Sequence, residues 1–371
     1  MTERSTAKAQ ATHGRVLVTG AAGFVGRHLV RELIDQGRQV RATDLGNLDE
    51  AKDLGAETAA ADLTVPDQVE EVLEGVDTVA HVAAAYDLSL PRETLMRVNV
   101  GTTSNLARAS ADRGVAHLVF CSTADTYGMH AESPIHEHFS QRPLNDYARS
   151  KVAAEQKLLA ISGHTGLQVT IVRPTLIYGP GSIYIASLFC TLPYILQRQL
   201  GFIPRATGGP RINAVHVQDV AGAIAHLVGR TDLAGQAFNL ADDQWQTVGD
   251  LLDNLTRPLG LRTSPVAFPL GLVPLDPLAS LVERLPAQAF GLMNRVLRHQ
   301  WEQIVNAHGL TQNLSPRFDA DFVSYGHGDH VYANARLKAT GYTLRWPRFD
   351  VGYPATIDWY QKQRWIPGPP A

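Results

Sequence analysis

A tyrosine and a lysine stand four residues apart in NDYARSKVAAEQ, residues 145–156. On a helix, Tyr147 and Lys151 would lie one turn apart on the same face. A free phenol has a pKa of about 10, too high for a base near neutral pH. An ammonium group close by stabilises the phenolate, so the pair predicts a proton-transfer site. The spacing also fits two polar side chains that face water, and the surrounding sequence must decide between them.

A hydroxyl group that could hold a substrate oxygen occurs in CSTADTYG, residues 121–128. This segment ends the apolar run HLVFCST, which predicts a strand over residues 117–123. Ligands gather at the carboxyl ends of parallel strands. Either Ser122 or Thr123 could serve, and we expect only one of them to face the cleft.

Three glycines spaced three apart form the motif VTGAAGFVG, residues 18–26, after the first predicted strand. The first permits a tight turn, the second lets backbone N–H groups approach a pyrophosphate, and the third allows close helix–strand packing. The N-terminus of the following helix adds partial positive charge. The predicted phosphate-binding residues are Gly20, Ala22, Gly23, Phe24, Val25 and Gly26.

Asp44 ends the second predicted strand, about twenty residues after the glycines. A carboxylate at this point accepts hydrogen bonds from the adenosine ribose hydroxyls and repels a 2′-phosphate, which favours NAD over NADP. Arg41 should point to the opposite face of the strand. Asp62 and Leu63, after the third strand, are expected to flank the adenine.

The elements that must position these residues alternate as in βαβ units over the first 175 residues. Strands are predicted at 15–20, 39–44, within 56–63, and at 77–84, 117–123 and 167–174, with a helix at 23–36. Strands this apolar indicate a parallel sheet covered on both faces. The predicted fold is α/β, a Rossmann-type doubly wound parallel sheet with a smaller, mostly helical C-terminal substrate lobe.

We predict a flexible tail at 1–14, an NAD-binding Rossmann domain at 15–180 and a substrate-binding lobe at 181–371, with 210–245 returning to the Rossmann core. Within the lobe, residues 211–228 predict a strand that turns into a helix, and 235–243 predict another strand. Residues 259–310, rich in Leu, Pro and Ala, are predicted to be helical. Gly341 is expected to end a short helix, since glycine suits a C-cap.

The composition of the chain excludes several classes of protein. The chain has 371 residues, 44% hydrophobic and 19% charged, and a formal net charge of −3, which does not fit a nucleic-acid binder. Two cysteines are too few for a disulfide framework, so a reducing cytoplasm is expected. The segments HEH, 136–138, and HGDH, 327–330, lack metal-ligand spacing, and no metal is expected. The C-terminal WYQKQRWIPGPP, 359–370, leaves peripheral membrane contact open, although a packed amphipathic helix is favoured.

In combination, the motifs resemble the extended short-chain dehydrogenase/reductases of the NAD-dependent epimerase/dehydratase superfamily. The matching blocks are TGAAGFVG, HVAAAY, NVGTTSN, CSTADTYG, YARSK, RPTLIYGPG and VHVQDVAGA, in order, within about residues 14–350. The resemblance implies NAD as cofactor and a catalytic triad of Thr123, Tyr147 and Lys151. It also implies that Asn99, Ala83 and Ala84 lie along the cofactor, with Pro174 near the nicotinamide. A homodimer is expected, because two-fold dimers are common in this family.

The sequence also restricts the choice among the branches of this family. Sugar-nucleotide dehydratases carry an Asp-Glu pair directly after the threonine, whereas this chain has Ala124 and Asp125. Dehydratase chemistry is therefore not expected, and Asp125 is interpreted as a turn residue. Segment 182–196 has no charged side chain and segment 265–282 has only Asp276.

These two segments should form the wall of the substrate site, with Tyr184 a predicted substrate contact beside Thr123 and Tyr147. A buried pyrophosphate needs cationic or amide donors, while a sterol needs an apolar wall. GQAFNLADDQWQTVGDLL and RPTLIYGPGS also resemble the 3β-hydroxysteroid dehydrogenase branch, including its bacterial sterol-modifying relatives. Arg211 could bind an anionic group of the substrate, so a sugar nucleotide remains an alternative substrate.

The favoured hypothesis is an NAD-dependent dehydrogenase for a secondary alcohol or ketone of an apolar molecule, a 3β-hydroxysteroid or sterol. By the resemblance, a substrate with a C4 carboxyl group would lose CO2 after oxidation at C3. One alternative is a sugar-nucleotide epimerase with tightly bound NAD. Another is a non-catalytic dinucleotide-binding protein, which need not keep the threonine, tyrosine and lysine together.

Overall fold

Residues 14–86, 90–272, 287–316 and 328–369 are described by the computed structural model of the chain. Residues 1–13 of the expected tail lie outside the described residues. The strands of the first half are β1 Val16–Thr19, β2 Val40–Thr43, β3 Glu57–Thr58, β4 Thr78–His81, β5 His117–Cys121 and β6 Gln168–Pro174. The helices are α1 Phe24–Asp35, α2 Asp49–Asp53, α3 Pro66–Val72, α4 Arg92–Leu95, α5 Gly101–Asp112 and α6 Asp146–Thr165. The predicted strands and the first helix are confirmed, apart from small differences at their ends.

The strands of the second half are shorter. They are β7 Leu176–Tyr178, β8 Ile203–Thr207, β9 Arg211–Ile212, β10 Ala214–His216, β11 Ala237–Leu240, β12 Gln246–Thr247 and β13 Thr263–Pro269. The helices are α7 Ile183–Ile185, α8 Thr191–Leu200, α9 Val217–Leu227, α10 Val248–Thr256, α11 Ala287–His308, α12 Ala335–Lys338 and α13 Phe349–Lys362. The predicted strand-to-helix turn at 211–228 is β10 followed by α9. Gly341 has φ +94° just after α12, as expected of a residue that ends a helix.

Within the described residues, the central sheet has seven strands in the order β11-β6-β5-β4-β1-β2-β3. Each neighbouring pair is parallel. The chain reverses its direction of travel across the sheet between β1 and β4, and ligands bind at such a switch point. The α/β, Rossmann-type fold is confirmed.

Helices cover both faces of the sheet. Successive strand residues point to opposite faces, so Val18 joins one apolar cluster and Leu17 the other. The first cluster includes Leu33 of α1 and Ile224 of α9. The second includes Leu106 of α5 and residues of α3 and α6. Both faces of the strands are therefore removed from water, as their continuous apolar sequences require.

The C-terminal lobe has an apolar cluster of its own. Trp301 of α11 is fully buried there beside Tyr178 of β7 and three aromatic residues of α13. Phe349 and Tyr353 of α13 stack on each other with ring centroids 4.8 Å apart. Because Tyr178 follows β6 closely, this cluster joins the lobe to the end of the central sheet.

The helical prediction for residues 259–310 is wrong in its first part. Residues 263–269 form β13, which lies parallel to β8. Strand preference depends on the neighbours that a segment meets, and the edge of β8 supplies hydrogen-bond partners that the local sequence does not reveal. Helix α11 occupies 287–308 as expected, and residues 273–286 lie outside the described residues. A search of the described residues finds no helix with the length and apolar character needed to cross a bilayer.

Candidate active site

A cavity of about 1400 Å³ opens at the carboxyl ends of the central strands and extends into the lobe. It brings together predicted site residues from segments far apart in the chain. Those on its wall are Gly20, Ala22, Gly23, Phe24, Val25, Gly26, Asp44, Asp62, Leu63, Ala83, Ala84, Thr123, Tyr147, Lys151, Pro174 and Tyr184. The cavity has a cofactor half, against the sheet, and a lobe half, built by residues after Pro174.

The turn between β1 and α1 depends on its glycines. Gly20 has φ +68°, in the left-handed region that favours glycine, and a Cβ there would lie 2.7 Å from the Cα of Ala83. A Cβ on Gly26 would overlap the carbonyl oxygen of Gly20. These contacts are with backbone atoms, so a side-chain movement cannot relieve them. The turn thus brings the N-terminus of α1 close to the strand ends on the cavity wall, where it fits a pyrophosphate.

Asp44 is held at the cavity wall by two backbone groups. Its carboxylate accepts hydrogen bonds from the N–H of Ala22 at 3.0 Å and of Gly46 at 2.8 Å. A carboxylate held after the second strand can receive the adenosine ribose hydroxyls. Arg41 turns away from the cavity and donates to Glu57 of β3 at 2.9 Å. It therefore points to the face of the strand opposite Asp44, as the alternation of strand side chains predicts.

Asp44→Asn should weaken the selection of NAD over NADP. The amide keeps the size of the side chain and removes the charge, and hydrogen bonds to charged groups contribute about 1.5–3 kcal/mol. We expect the KM for NAD to rise about tenfold, which corresponds to about 1.4 kcal/mol, and NADP to gain relative to NAD. Steady-state kinetics with both dinucleotides measures this change. Asp49→Asn, on exposed α2, is the matched control, and an unchanged preference in Asp44→Asn would contradict the assignment.

A buried hydrogen-bond chain supports the loop after β4. Thr103 Oγ1 donates to the carbonyl of Asn99 at 2.7 Å, so it accepts from His81 Nε2 at 3.0 Å, and this nitrogen carries the proton. The other imidazole nitrogen, Nδ1, then accepts from Thr19 Oγ1 at 2.8 Å, and Thr19 Oγ1 also accepts from the backbone N–H of Ala83 at 3.2 Å. Burial, with a smaller effect of Lys151, lowers the pKa of His81 to about 3. His81 is therefore a neutral linker beneath the cavity floor.

Asn99 is expected along the cofactor, but it lies behind the cavity wall and is 2% exposed. Its Oδ1 accepts from the N–H of Ala85 at 2.8 Å, and its Nδ2 donates to Ser150 Oγ at 2.9 Å. Ser150 in turn donates to the carbonyl of Tyr147 at 2.7 Å. The Asn99 side-chain amide thus joins the loop after β4 to α6 by hydrogen bonds. Because its donor and acceptor atoms are engaged there, the amide does not reach the cavity.

Helix α6 carries Tyr147 and Lys151. It begins after Asn145, whose side chain accepts a backbone N–H of the first turn at 2.8 Å. Lys151 Nζ donates to the carbonyl of Cys121 at 2.7 Å and lies 4.2 Å from the centroid of the Phe120 ring. The ammonium group therefore sits between α6 and the end of β5, on the cavity wall.

Both hydroxyl residues after β5 line the cavity, although only one is expected to do so. The chain enters a 3₁₀ turn, Ala124–Tyr127, directly after Thr123, so the alternation of strand side chains stops there. Thr123 Oγ1 accepts from the N–H of Asp125 at 3.2 Å, which leaves its O–H to donate. The Ser122 hydroxyl is buried and has no hydrogen-bond partner within the described part of the chain.

The electrostatics around Tyr147 differ from the expectation. Burial raises the pKa of its phenol above the ordinary value near 10, and the Asp125 carboxylate and the Cys121 thiol raise it further. Burial also lowers the pKa of Lys151 to about 8. The predicted lowering of the phenol pKa by Lys151 is thus not found in this geometry. A phenol that stays protonated at neutral pH is suited to donate its proton to a ketone oxygen.

Asp125 lines the cavity, although the sequence suggests only a turn residue. Since its negative charge disfavours the phenolate, Asp125→Asn should lower the pKa of Tyr147. The acid limb of the pH profile for alcohol oxidation should then move to lower pH, and oxidation at neutral pH should become faster. Measuring kcat/KM against pH tests this. Asp146→Asn should leave the profile unchanged, because the Asp146 side chain is 41% exposed and pairs with Arg149. No shift in Asp125→Asn would refute the coupling.

A buried ion pair lies behind α6. Arg173 of β6 donates from Nε to Glu155 at 3.0 Å and from a terminal nitrogen at 2.6 Å. Another terminal nitrogen donates to the Tyr127 hydroxyl at 2.7 Å, and Tyr127 donates to Asn239 of β11 at 2.7 Å. The network joins the catalytic helix, the turn after Thr123 and two strands, so it fixes their relative positions.

The lobe half of the cavity is apolar. Most of its wall is aliphatic or aromatic: Leu176, Ile177, Ile183, Tyr184, Leu188, Phe189, Leu192, Ile212, Val248, Leu251, Leu252 and Tyr332. Thr175, Gly181, Ser182 and His330 complete it. No lysine or arginine occurs on this wall among the residues that the structure describes. The two arginines on the described cavity wall, Arg27 and Arg97, belong to the cofactor half. Arg27 lies on α1, and Arg97 interacts electrostatically with the carboxylate of Asp62. A diphosphate in the lobe half would lack the cationic partners that such groups take.

Aromatic rings connect the lobe half to Tyr147. The ring of Tyr86 meets Tyr147 edge to face at 4.9 Å and Tyr184 at 5.4 Å. Tyr184 is predicted from sequence, whereas Tyr86, His330 and Tyr332 are not. Tyr86 ends the HVAAAY block after β4, and that position is the signal that could have found it. His330 and Tyr332 carry no such signal, because only the folded lobe brings them to the cavity.

Two residue groups expected at the substrate do not reach it. Arg211 is paired with Asp329 at 2.8 Å, lies 5.0 Å from the Trp245 ring and is not on the cavity wall. Residues 265–271 of the expected apolar wall are not on the cavity wall either; they belong to β13, which pairs with β8, and to the turn after it. Residues 273–282 of that segment lie outside the described residues. No group of three or more side chains suited to a metal is found within the described ranges.

A model of the NAD dependent epimerase/dehydratase family matches residues 16–241, from β1 through β11. The chain belongs to this family. The expected relation to the extended short-chain dehydrogenase/reductases is confirmed. The family is NAD-dependent, its match includes the glycine turn and Asp44, and the cofactor of the chain is NAD.

Relatives in this family act on different substrates. Sterol demethylase protein B of Methylococcus capsulatus is 30% identical over 263 residues, 68% of this chain and 77% of that protein. A 3 beta-hydroxysteroid dehydrogenase/Delta 5-->4-isomerase of Mycobacterium tuberculosis is 35% identical over 249 residues, 62% of this chain and 65% of that protein. A UDP-glucose 4-epimerase of Vibrio cholerae is 27% identical over 270 residues, 69% of this chain and 79% of that protein.

A solved structure shows the same fold. The UDP-glucose 4-epimerase of Thermus thermophilus, in complex with NAD, superposes with a TM-score of 0.65 at 23% identity, over 94% of this chain and 99% of that one. This likeness supports the architecture of sheet and lobe together. The substrate class must be argued from the cavity wall.

Proposed function

We propose that the chain is an NAD-dependent dehydrogenase that interconverts a secondary alcohol and a ketone on an apolar molecule, a 3β-hydroxysteroid or sterol. The observation that carries this proposal is the lobe half of the cavity, whose described wall is mainly aliphatic and aromatic and has no lysine or arginine. Ligand pockets commonly measure about 300–1,000 Å³. At about 1400 Å³ the cavity has room for a dinucleotide and a second molecule of sterol size.

The relatives and the polar residues support the same substrate class. Two of the relatives named above act on sterols or steroids by their names. Arg211, the residue that kept a sugar nucleotide open, is neutralised by Asp329. A nucleotide diphosphate would therefore have to lose its hydration in the lobe half without a compensating charge, which is costly.

When bound, NAD supplies a hydride acceptor at its nicotinamide. During reduction, the protonated phenol of Tyr147 donates its proton to the carbonyl oxygen. During oxidation, its phenolate form takes the hydroxyl proton, and because the pKa of Tyr147 is raised, the amount of this form and the oxidation rate increase with pH. Thr123 donates its O–H to the same oxygen and so orients the reacting carbon. Lys151, anchored on the carbonyl of Cys121, places a positive charge on the wall beside the phenol. The rings of Tyr86 and Tyr184 extend from the phenol into the lobe half by edge-to-face contacts, so an apolar substrate would meet them beside Tyr147.

A carboxyl group at C4 would extend the reaction. Oxidation at C3 then yields a β-keto acid, in which the bond from C4 to the carboxyl carbon breaks and CO2 leaves. The electron pair forms the enol of the C3 ketone, and a proton restores C4. NAD is the oxidant for the first step, and the second step needs none. The sterol demethylase relative supports this extension.

A substrate screen tests the proposal. Purified protein is given NAD and either 3β-hydroxysteroids, sterols with and without a C4 carboxyl group, or UDP- and GDP-sugars, and NADH is followed by absorbance. We expect NADH only with steroids or sterols, and none with Tyr147→Phe in parallel. Conversion of sugar nucleotides without net NADH, with NAD retained through purification, would instead identify an epimerase.

A further inference from the structure

The lobe exposes apolar side chains on several neighbouring elements. They are Leu200 and Phe202 at the end of α8, Val266 and Phe268 on β13, and Leu292 and Val296 on α11, and together they are called the lobe face. Val266 is 75% exposed and Phe268 58%. Exposed apolar side chains that cluster in this way mark surfaces that are covered in the working protein.

Helix α11 is apolar on two sides. Its inner side carries Trp301 and Ile304, which are buried in the lobe cluster. Leu292 and Val296, four residues apart, lie on one outer side and are exposed. A helix that only covered a core would carry polar residues on that outer side. The outer side of α11 is therefore built for contact with an apolar environment.

The parts of the lobe face are connected. Gln199 of α8 donates to Gln300 of α11 at 2.7 Å, and Val296 lies one turn before Gln300. Leu200 and Phe202 directly follow Gln199, and β8 begins at the next residue and pairs with β13. Val266 and Phe268, two residues apart on β13, are both exposed, and the register of β13 on β8 is irregular between Thr263 and Ala267.

Helix α8 links the cavity wall to the lobe face. Ile183, Leu192 and Leu252 line the cavity and are also exposed. Leu192 is at the start of α8 and Leu200 at its end, about 12 Å apart at 1.5 Å per residue. An apolar molecule could pass from a surface in contact with the lobe face to the cavity along apolar side chains.

Basic residues predominate on the described segments that carry the lobe face. Residues 191–207, 262–272 and 287–308 contain the arginines 198, 205, 262, 295 and 298 and one acidic residue, Glu302, although the whole chain has a net charge of −3. Arg205 is paired with Asp253. The other four arginines are exposed. Apolar side chains flanked by arginines are typical of segments that lie in the interface of an anionic membrane.

We propose that the lobe face docks on the surface of an anionic phospholipid bilayer. A second copy of the chain fits less well, because a two-fold contact would bring the arginines of both copies together. The lobe face is not the C-terminal segment 359–370, for which the sequence leaves membrane contact open. In that segment Tyr360 and Ile366 are buried in the apolar cluster of the lobe. Membrane docking is argued from the surface alone. Only its use, the uptake of an apolar substrate from the membrane, rests on the proposed function.

Vesicle sedimentation tests the proposal without substrate, so its outcome is independent of the substrate screen. Purified protein is mixed with vesicles of phosphatidylcholine alone or of phosphatidylcholine with phosphatidylglycerol. We expect stronger binding to the phosphatidylglycerol vesicles. The double variant Val266→Ser/Phe268→Ser should bind at least about tenfold more weakly. Arg295→Gln/Arg298→Gln should bind both kinds of vesicle alike.

Val351→Ser is the control, since Val351 on α13 is 53% exposed, close to the 58% of Phe268, and lies outside the lobe face. It should bind as the unmodified protein does, and circular dichroism confirms that each variant is folded. Equal sedimentation with and without vesicles would overturn the proposal. So would self-association that the serine double variant abolishes in the absence of lipid, which would assign the lobe face to a second copy.

Discussion

Tyr147→Phe should lower the rate of NADH formation by roughly 10²–10⁴-fold, the usual contribution of a positioned acid or base. The phenol is 8% exposed, and its ring contacts Tyr86. Phenylalanine keeps this ring contact and removes only the hydroxyl that carries the proton. The decrease should appear in kcat at saturating NAD and substrate, while NAD affinity, measured by fluorescence titration, should stay nearly constant.

Tyr86→Phe is the matched control for this result. It removes the phenol oxygen of the neighbouring ring, which hydrogen-bonds with Tyr184, and it leaves the proton path at Tyr147 in place. We expect its kcat to stay within a few-fold of the unmodified protein. Tyr147→Phe with more than about a tenth of the original kcat would contradict the acid/base role. Equal losses in both variants would show that the ring wall, and not the Tyr147 hydroxyl, controls the rate.

Glu155→Gln should destabilise the folded protein by about 3–5 kcal/mol, because it removes one partner of a buried ion pair. The Glu155 and Arg173 side chains are 2% and 8% exposed. The guanidinium would stay buried without a countercharge, and the amide replaces only part of its hydrogen bonding. Urea unfolding, followed by circular dichroism, should show a lower midpoint with an unchanged dependence on urea.

Asp232→Asn is the control for the ion pair. Asp232 pairs with Arg230 at 2.8 Å, but the two side chains are 59% and 38% exposed, and solvent screens such surface pairs so that they contribute little to stability. The comparison separates burial from pairing as the source of stability. A loss in Glu155→Gln no larger than in Asp232→Asn would show that solvent reaches the buried pair.

The cofactor half of the site could be predicted because its signals are local. The glycine turn, Asp44 and the hydroxyl residues after β5 each follow a strand within a few residues, and parallel strands bring their carboxyl ends to one edge. Tyr147 and Lys151 share a helix, so their spacing is enough to place them together. Asn99 is the exception, since its amide is used by partners that only the packed structure brings near.

The lobe half depends on contacts between distant segments. Residues 263–269 pair with β8 across a long stretch of chain, and no local pattern predicts that partner. His330 reaches the cavity because its backbone N–H donates to the carbonyl of Arg211 at 2.7 Å. The direction of the pKa shift of Tyr147 was also beyond the sequence. It depends on burial and on Asp125, and neither follows from a four-residue spacing.

The seventh strand of the central sheet has a consequence for how the chain melts. Strand β11 pairs with β6 although the first elements of the lobe lie between them in the chain, and α12, still later in the chain, packs on β11. Helix α9 likewise packs against α1, the helix of the phosphate turn. The two halves are therefore interlaced, and neither can unfold without exposing the edge of the other. A ligand that binds the cofactor half should raise the melting temperature of the lobe as well, in one cooperative transition.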